Sequence, residues 1–147
     1  MKRVFIDSTV LLHAAGAQHA AREGSAHWVR AGTEGLVVLH ASVEAGQEYL
    51  FHRTRRRGPE RAAQEFEALE ELIVWHPFDQ EILRRTATLV ATGTIGGRDA
   101  VHAATALAAG FTEIVSADRD FDRVPGLSSR YAGLRQEMQD ARLEARM

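Results

Sequence analysis

Cysteine is absent from the 147 residues, which removes disulfide scaffolds, thiol nucleophiles, iron–sulfur ligation and Cys-based zinc sites together. Long apolar runs are absent too. No stretch approaches the roughly 20 apolar residues of a membrane span. Near the N-terminus, where Lys2-Arg3 precedes an apolar stretch and Ala14-Ala15-Gly16-Ala17, Asp7 and Ser8-Thr9 leave only Val10-Leu11-Leu12, too short for a signal-peptide core. A cytoplasmic protein is expected. An excess of either charge is lacking as well: 18 Lys or Arg against 20 Asp or Glu give −2 and a pI near 6.4, ordinary for one soluble domain. There is no internal repeat, and proline is confined to positions 59, 77 and 125. What is present is 45% hydrophobic and 26% charged, enough apolar surface for a core and too little polar bias for disorder.

Short apolar runs with β-branched or aromatic content stand at Val4-Phe5-Ile6, Leu36-Val37-Val38-Leu39, Leu72-Ile73-Val74-Trp75 and Ile114-Val115, with stretches of helical composition between them. Strands alternating with helices imply a parallel, buried sheet. Ser42 suits the cap of a helix over 43–57 that stops at Gly58, and Pro59 suits the first turn of the next, over 59–71. In that second helix Ala62, Phe66, Leu69 and Ile73 form a core-facing stripe beside a Glu-rich outer face. Asp79 is placed to cap a helix through 91. Gly96-Gly97 then break the chain before an Ala-rich helix over 98–109, closed by Gly110, whose small residues permit close packing. The residues beyond Leu127 mix arginines and acids with few large apolar groups, which predicts a charged tail over 128–147, helical or frayed.

A few acids occupy informative positions. Asp7 follows the first strand and Asp118 follows Ile114-Val115-Ser116-Ala117, so each sits at the C-terminal end of a predicted parallel strand, the edge where open α/β sheets bind ligands. If those strands are neighbours, both carboxylates face one crevice, and Asp120 joins them or faces solvent. Asp99 lies in the first turn of the Ala-rich helix, and Glu44 and Glu48 share a helical face at i, i+4. Three or four clustered carboxylates raise one another's pKa unless a counter-charge intervenes. A hard divalent cation such as Mg²⁺ or Mn²⁺ supplies it with oxygen ligands alone, and such an ion serves phosphodiester hydrolysis. Plainer readings stand beside this one: Asp99 and Glu44 favour helix N-termini by about 0.3–1 kcal/mol, and Asp118 and Asp120 suit a turn. The seven histidines show no HExxH-type pairing, which points to core or surface roles. Arg53, Arg55, Arg56, Arg57 and Arg61 gather around a helix end, where they either complement the helix dipole or offer phosphates a basic patch.

Four blocks in order resemble one family. Val4-Phe5-Ile6-Asp7-Ser8-Thr9, the stretch Ala41-Ser42-Val43-Glu44-Ala45-Gly46-Gln47-Glu48, Arg98-Asp99-Ala100-Val101-His102, and Ser116-Ala117-Asp118-Arg119-Asp120-Phe121 are similar to the motifs of PIN-domain ribonucleases, in particular the VapC-type toxins of toxin–antitoxin pairs. The resemblance covers roughly residues 3–127 and implies a PIN-like nuclease domain over 1–127, an α/β fold built as a three-layer α/β/α sandwich with a central parallel sheet. It further implies Mg²⁺ or Mn²⁺ dependence, endoribonuclease activity on an RNA substrate, a homodimer and a cognate antitoxin partner. Carried onto this sequence, the acidic quartet falls on Asp7, Glu48, Asp99 and Asp118, with Asp7, Asp99 and Asp118 as metal ligands. Glu48 suits the second acid better than Glu44 by its offset from Ser42, Thr9 takes the small polar position beside the first Asp, and Asp120 is an extra or outer ligand. Arg98 is a phosphate contact or a salt-bridge partner of Asp120 or Glu48.

Two alternatives remain on sequence alone. Asp7-Ser8-Thr9-Val10 superficially resembles the nucleophile motif of haloacid dehalogenase-type phosphatases, but Thr9 replaces the usual second acid and the only lysine is Lys2. The other is a PIN-like fold that binds RNA or protein without turnover. Trp28, Tyr49, Phe51 and Trp75 are candidate apolar surface for a partner.

Overall fold

The computed structural model describes residues 1–16 and 19–131. Strand β1 (Lys2–Phe5) leads into helix α1 (Ser8–Ala15), then α2 (Arg22–Thr33), β2 (Val37–Ser42), α3 (Val43–Arg57), α4 (Pro59–Leu72), β3 (Ile73–His76), α5 (Gln80–Ala91), α6 (Gly97–Ala108), β4 (Glu113–Ser116), a 3₁₀ turn (Asp120–Arg123) and β5 (Ser128–Tyr131). The sequence's punctuation acts where expected. Ser42 accepts a hydrogen bond from the Glu44 N–H to start α3, and Asp79 accepts from the Ile82 N–H to start α5. Between α3 and α4, Gly58 takes φ +86°, the left-handed region that a side chain disfavours, and Pro59 opens the next helix.

All strand pairs are parallel: β1 with β2, β2 with β3, and β4 with β5. Ile6 bridges Val115, and the Asp7 N–H donates to the Val115 carbonyl at 3.2 Å, which joins the two sets into the order β3-β2-β1-β4-β5. The chain therefore reverses its direction of winding between β1 and β4, so that the crevice at their C-terminal ends is the fold's natural ligand site. On one face of the sheet Val10, Leu11, Trp28, Leu39 and Tyr49 form a buried core under α1, α2 and α3, with Phe66 and Leu69 of α4 packed against it. On the other face Phe5, Ile114 and Phe121 pack with Ala100, Ala103 and Ala106 of α6. Helices on both faces of a parallel sheet make the three-layer sandwich that the sequence predicts. A Cβ on Gly46 would stand 3.0 Å from Phe66 and 3.1 Å from Trp75, so glycine lets α3 approach α4 and β3 closely.

Three expectations need correction. Residues 128–131, assigned to the tail, form β5. Their polar sequence carries no strand signal, and pairing with β4 (Glu113 opposite Ser128) makes the strand. Residues 132–147 of that tail lie outside the described residues. The second strand begins at Val37 and runs on to Ser42, because Leu39, His40 and Ala41 are inside the sheet while Leu36 is 40% exposed. Trp28 and Tyr49 are core rather than partner-facing, at 1% and 3% exposure, whereas Phe51 is 45% exposed.

Candidate active site

Asp7 leaves β1 and caps α1, accepting from the Thr9 N–H at 3.1 Å and from the Thr9 hydroxyl. Its other oxygen accepts from the Ser116 hydroxyl at 2.8 Å. The Thr9 hydroxyl oxygen also accepts from the Ala117 N–H at 2.9 Å, so one threonine ties the end of β1 to the end of β4. Ser116 accepts from the Asp118 N–H, and Asp118 accepts from the Asp120 N–H, both at 2.9 Å, which fixes the turn carrying these two acids. Burial drives the Asp7 carboxyl above its usual range, while the His102 charge and the hydroxyls of Thr9 and Ser116 pull against it.

Glu48 projects from α3 into the same crevice. It accepts from the Ser8 hydroxyl at 2.8 Å and meets His102 Nε2 of α6 at 3.0 Å. Burial alone would raise this carboxyl; the hydrogen bond and charge of His102, with help from Ser8 and Arg98, hold it below the ordinary value. His102 is raised in turn: burial opposes its charge, but the bond to Glu48 and the charges of Asp7, Glu48 and Asp99 prevail. A buried imidazolium thus stands among the acids as their internal counter-charge.

Asp99 sits one turn before His102 on α6, and its carboxyl is pushed up to about 6 by burial and then by the charges of Asp7, Asp118 and Glu48, with His102 opposing. Oxygens of Asp99, Asp118 and Asp120 lie within 4.8 Å of one another. Three half-exposed carboxylates at that separation, one of them already reluctant to ionise, form a donor set of hard oxygens suited to a divalent cation. Asp120 thereby belongs to the gathering. Asp7 stands behind it with both oxygens engaged by Thr9 and Ser116, and its charge reaches Asp99.

The remaining candidates separate. Glu44 is at the rim, where Arg98 Nε lies 3.8 Å from its carboxylate; Arg98 therefore forms its salt bridge with Glu44 rather than with Asp120 or Glu48, and reaches Glu48 through its charge alone. Arg53 is a correction. Its Nε and a terminal nitrogen donate to the two oxygens of Glu65 at 2.8 and 3.1 Å, with Tyr49 on the same carboxylate, so its guanidinium staples α3 to α4 and is not available to RNA. Arg55, Arg56 and Arg57 are exposed on the last turn of α3.

The model of the PIN domain family matches residues 4–127. The chain belongs to the PIN domain family. Ribonuclease VapC7 of Mycobacterium tuberculosis is 33% identical over 125 residues, 80% of this chain and 83% of that protein. Among solved structures, VapBC2 from Rickettsia felis, bound to a DNA fragment from its promoter, superposes with a TM-score of 0.67 at 12% identity over 88% of this chain and 98% of that one. VapBC-1 from nontypeable Haemophilus influenzae gives 0.66 at 14% identity over 88% and 97%. Membership of the PIN family displaces the phosphatase alternative, and an Asp7 whose two oxygens both accept hydrogen bonds is poorly placed as a nucleophile.

In this PIN domain the sequence reading missed His102, Ser8 and Ser116. His102 follows Asp99 by three residues, a helical spacing that puts both on one face, and this was the available signal. Nothing local marks Ser8 or Ser116, whose partners lie 40 and 109 residues away.

Proposed function

We propose that this PIN domain is a metal-dependent endoribonuclease of the VapC type, the toxin of a toxin–antitoxin pair, hydrolysing RNA phosphodiester bonds in the crevice between β1 and β4. The observation that carries the reading is the convergence of Asp99, Asp118 and Asp120 within 4.8 Å beside Asp7 and the Glu48–His102 pair. Asp99, Asp118 and Asp120 would hold Mg²⁺ or Mn²⁺, with Asp7 as a further ligand directly or through water. Bound there, the ion supplies positive charge to a phosphodiester and to its leaving oxygen. Asp7 and Ser116 fix the turn that presents Asp118. Glu48, held ionised by His102 and Ser8, completes the anionic wall and accepts a hydrogen bond from the attacking water. Arg98 at the rim, together with the exposed Arg55, Arg56 and Arg57, offers charge to phosphates.

Kinship with Ribonuclease VapC7 supports an RNA substrate and likeness to VapBC structures supports a cognate antitoxin as protein partner; the homodimer is proposed on the resemblance to VapC-type toxins alone. Among the described residues no helix is long and apolar enough to cross a membrane, which is compatible with cytoplasmic action on RNA. The test is cleavage of a mixed RNA pool by wild type and Asp7→Asn, each with Mg²⁺ or Mn²⁺ and with EDTA. Cleavage by wild type alone, abolished by EDTA, is expected. Full cleavage by Asp7→Asn would remove that residue from the site, and a folded, antitoxin-free wild type that cuts nothing would move the protein to the binding-only reading.

A further inference from the structure

A cavity of about 550 Å³ opens between α1 and α3, lined among the described residues by Leu12, His13, His19, His52, Arg55 and Arg56, and by Gly16 and Arg53 as well. Its volume is within the range of pockets that hold a small organic ligand. Its position follows from helix geometry. Leu12 lies one turn beyond Ser8 on α1, and His52 lies one turn beyond Glu48 on α3. The cavity therefore continues the groove that starts at the Ser8–Glu48 hydrogen bond, about 5 Å farther along for each turn.

The chemistry changes along that groove. At its start the wall is anionic, and two turns on it carries two arginines. Neither Arg55 nor Arg56 forms an ion pair among the described residues, in contrast to Arg53, which is spent on Glu65. The Arg55 guanidinium lies over the Phe51 ring, 5.6 Å from its centroid, which restrains the side chain. Across the cavity the rings of His13 and His19 are stacked, with centroids 4.0 Å apart and planes 18° from parallel. Burial and the neighbouring His19 lower the His13 pKa, which favours the neutral, stackable form of that ring.

An acidic crevice continued by a cavity with planar rings on one side and forked cations on the other suits a nucleotide: bases stack on rings, and phosphates accept from arginine forks. We infer that this cavity is a subsite for single-stranded RNA, taking a base against His13 and His19 and the adjoining phosphate at Arg55 and Arg56, next along the strand from the bond cut in the carboxylate crevice. The inference rests on the ribonuclease reading. It makes the groove between α1 and α3 the path of the strand, and it explains why the basic residues of α3 cluster two turns away from the acids.

The test uses the full chain, a fluorescein-labelled single-stranded decaribonucleotide of mixed sequence, and EDTA to prevent cleavage. Fluorescence anisotropy should show Kd rising about tenfold for the Arg55→Ala, Arg56→Ala double variant. The slope of log K against log salt should flatten by about 0.7, the contribution of the one phosphate held by the two arginines on a single strand. In the wild type, the same oligonucleotide should shift the imidazole resonances of His13 and His52 and leave those of His40 and His76 in place. Unchanged affinity and slope in the double variant, with wild-type cleavage intact, would overturn the subsite and leave the nuclease standing. Absence of both binding and Mn²⁺-supported cleavage in the wild type would overturn both. A double variant that keeps its RNA affinity but no longer binds an acidic protein partner would overturn the subsite in favour of a protein-docking role.

Discussion

His102 Nε2 lies 3.0 Å from Glu48 Oε1, with His102 fully buried and Glu48 8% exposed. An ion pair this deep loses most of its hydration, and its mutual attraction does little more than offset that loss. Its value is positional: it fixes α3 against α6 and places one positive charge among the carboxylates of Asp7, Glu48 and Asp99. Removing one member is therefore costly, because the other is left buried and charged.

His102→Leu should lower folding stability by about 3–5 kcal/mol, read as a fall in the urea midpoint with an unchanged m value. The double variant His102→Leu, Glu48→Leu should recover much of that loss, since it removes both charges together. Additive losses in the double variant would mean that the two side chains do not act as a pair.

Asp99 links the site to pH. Its carboxyl is near 3.8 in the unfolded chain and pushed up to about 6 in the fold. The cost of ionising it in place is absent below pH 3.8, grows between those values and is complete above pH 6. Without metal, Asp99→Asn should be more stable than wild type by about 1–2 kcal/mol at pH 7.5, after allowance for solvent screening, and the gap should shrink toward pH 5. Mg²⁺ or Mn²⁺ should reverse the order at pH 7.5, because only the wild type has the full set of donors. Thermal melts of the two proteins with EDTA and with metal read both effects, and a gap independent of pH would count against a raised Asp99.

How much of this was legible in the sequence depends on where each signal resides. Helices α3, α4 and α5 were readable because Ser42, Gly58-Pro59 and Asp79 punctuate them locally. Helix α2 follows Ala21, which offers no side-chain cap, so its start carries no local signal, and Asp7, which caps α1, stands out in the sequence as a site acid rather than as a helix start. β5 exists through its pairing with β4. Asp7, Asp99 and Asp118 could be singled out because strand ends and helix starts are local features. Ser8, Ser116 and His102 could not, because each acquires its role from a partner brought near by the fold. Inside an Ala-rich helix His102 reads as one more core residue. Arg53 was misread for the converse reason: in sequence it is one arginine of a cluster, and only the packing of α4 reveals Glu65 beneath it.

Arg53 and Glu65 should behave as a structural unit. Arg53→Ala removes two charge-assisted hydrogen bonds at a site only 11% exposed. It should cost about 1–3 kcal/mol in urea unfolding. Arg55→Ala and Arg56→Ala, on exposed positions, should each stay within about 0.5 kcal/mol of wild type. Equal losses at all three positions would place Arg53 back among the surface arginines.

His40 and His76 give the fold an opposite pH dependence. Arg3 Nε donates to His40 Nε2 at 3.4 Å, so the proton shared with His76 Nε2 at 2.9 Å is on His40 Nδ1, and both rings are neutral. Burial, then Arg3, then His76 push His40 down to about 4, and burial and Arg3 lower His76 as well. A base whose pKa is depressed by folding contributes nothing adverse above its unfolded value of 6.5 and destabilises progressively as pH falls toward 4. This runs against the Asp99 trend over an overlapping range, so each is read as a difference between a variant and wild type. His40→Phe keeps an aromatic ring beside Phe111 and has no proton to gain. Its urea midpoint should therefore fall less than that of wild type between pH 7 and pH 5, by the equivalent of about 1–2 kcal/mol. If both proteins lose stability equally over that interval, the acid sensitivity originates elsewhere in the fold.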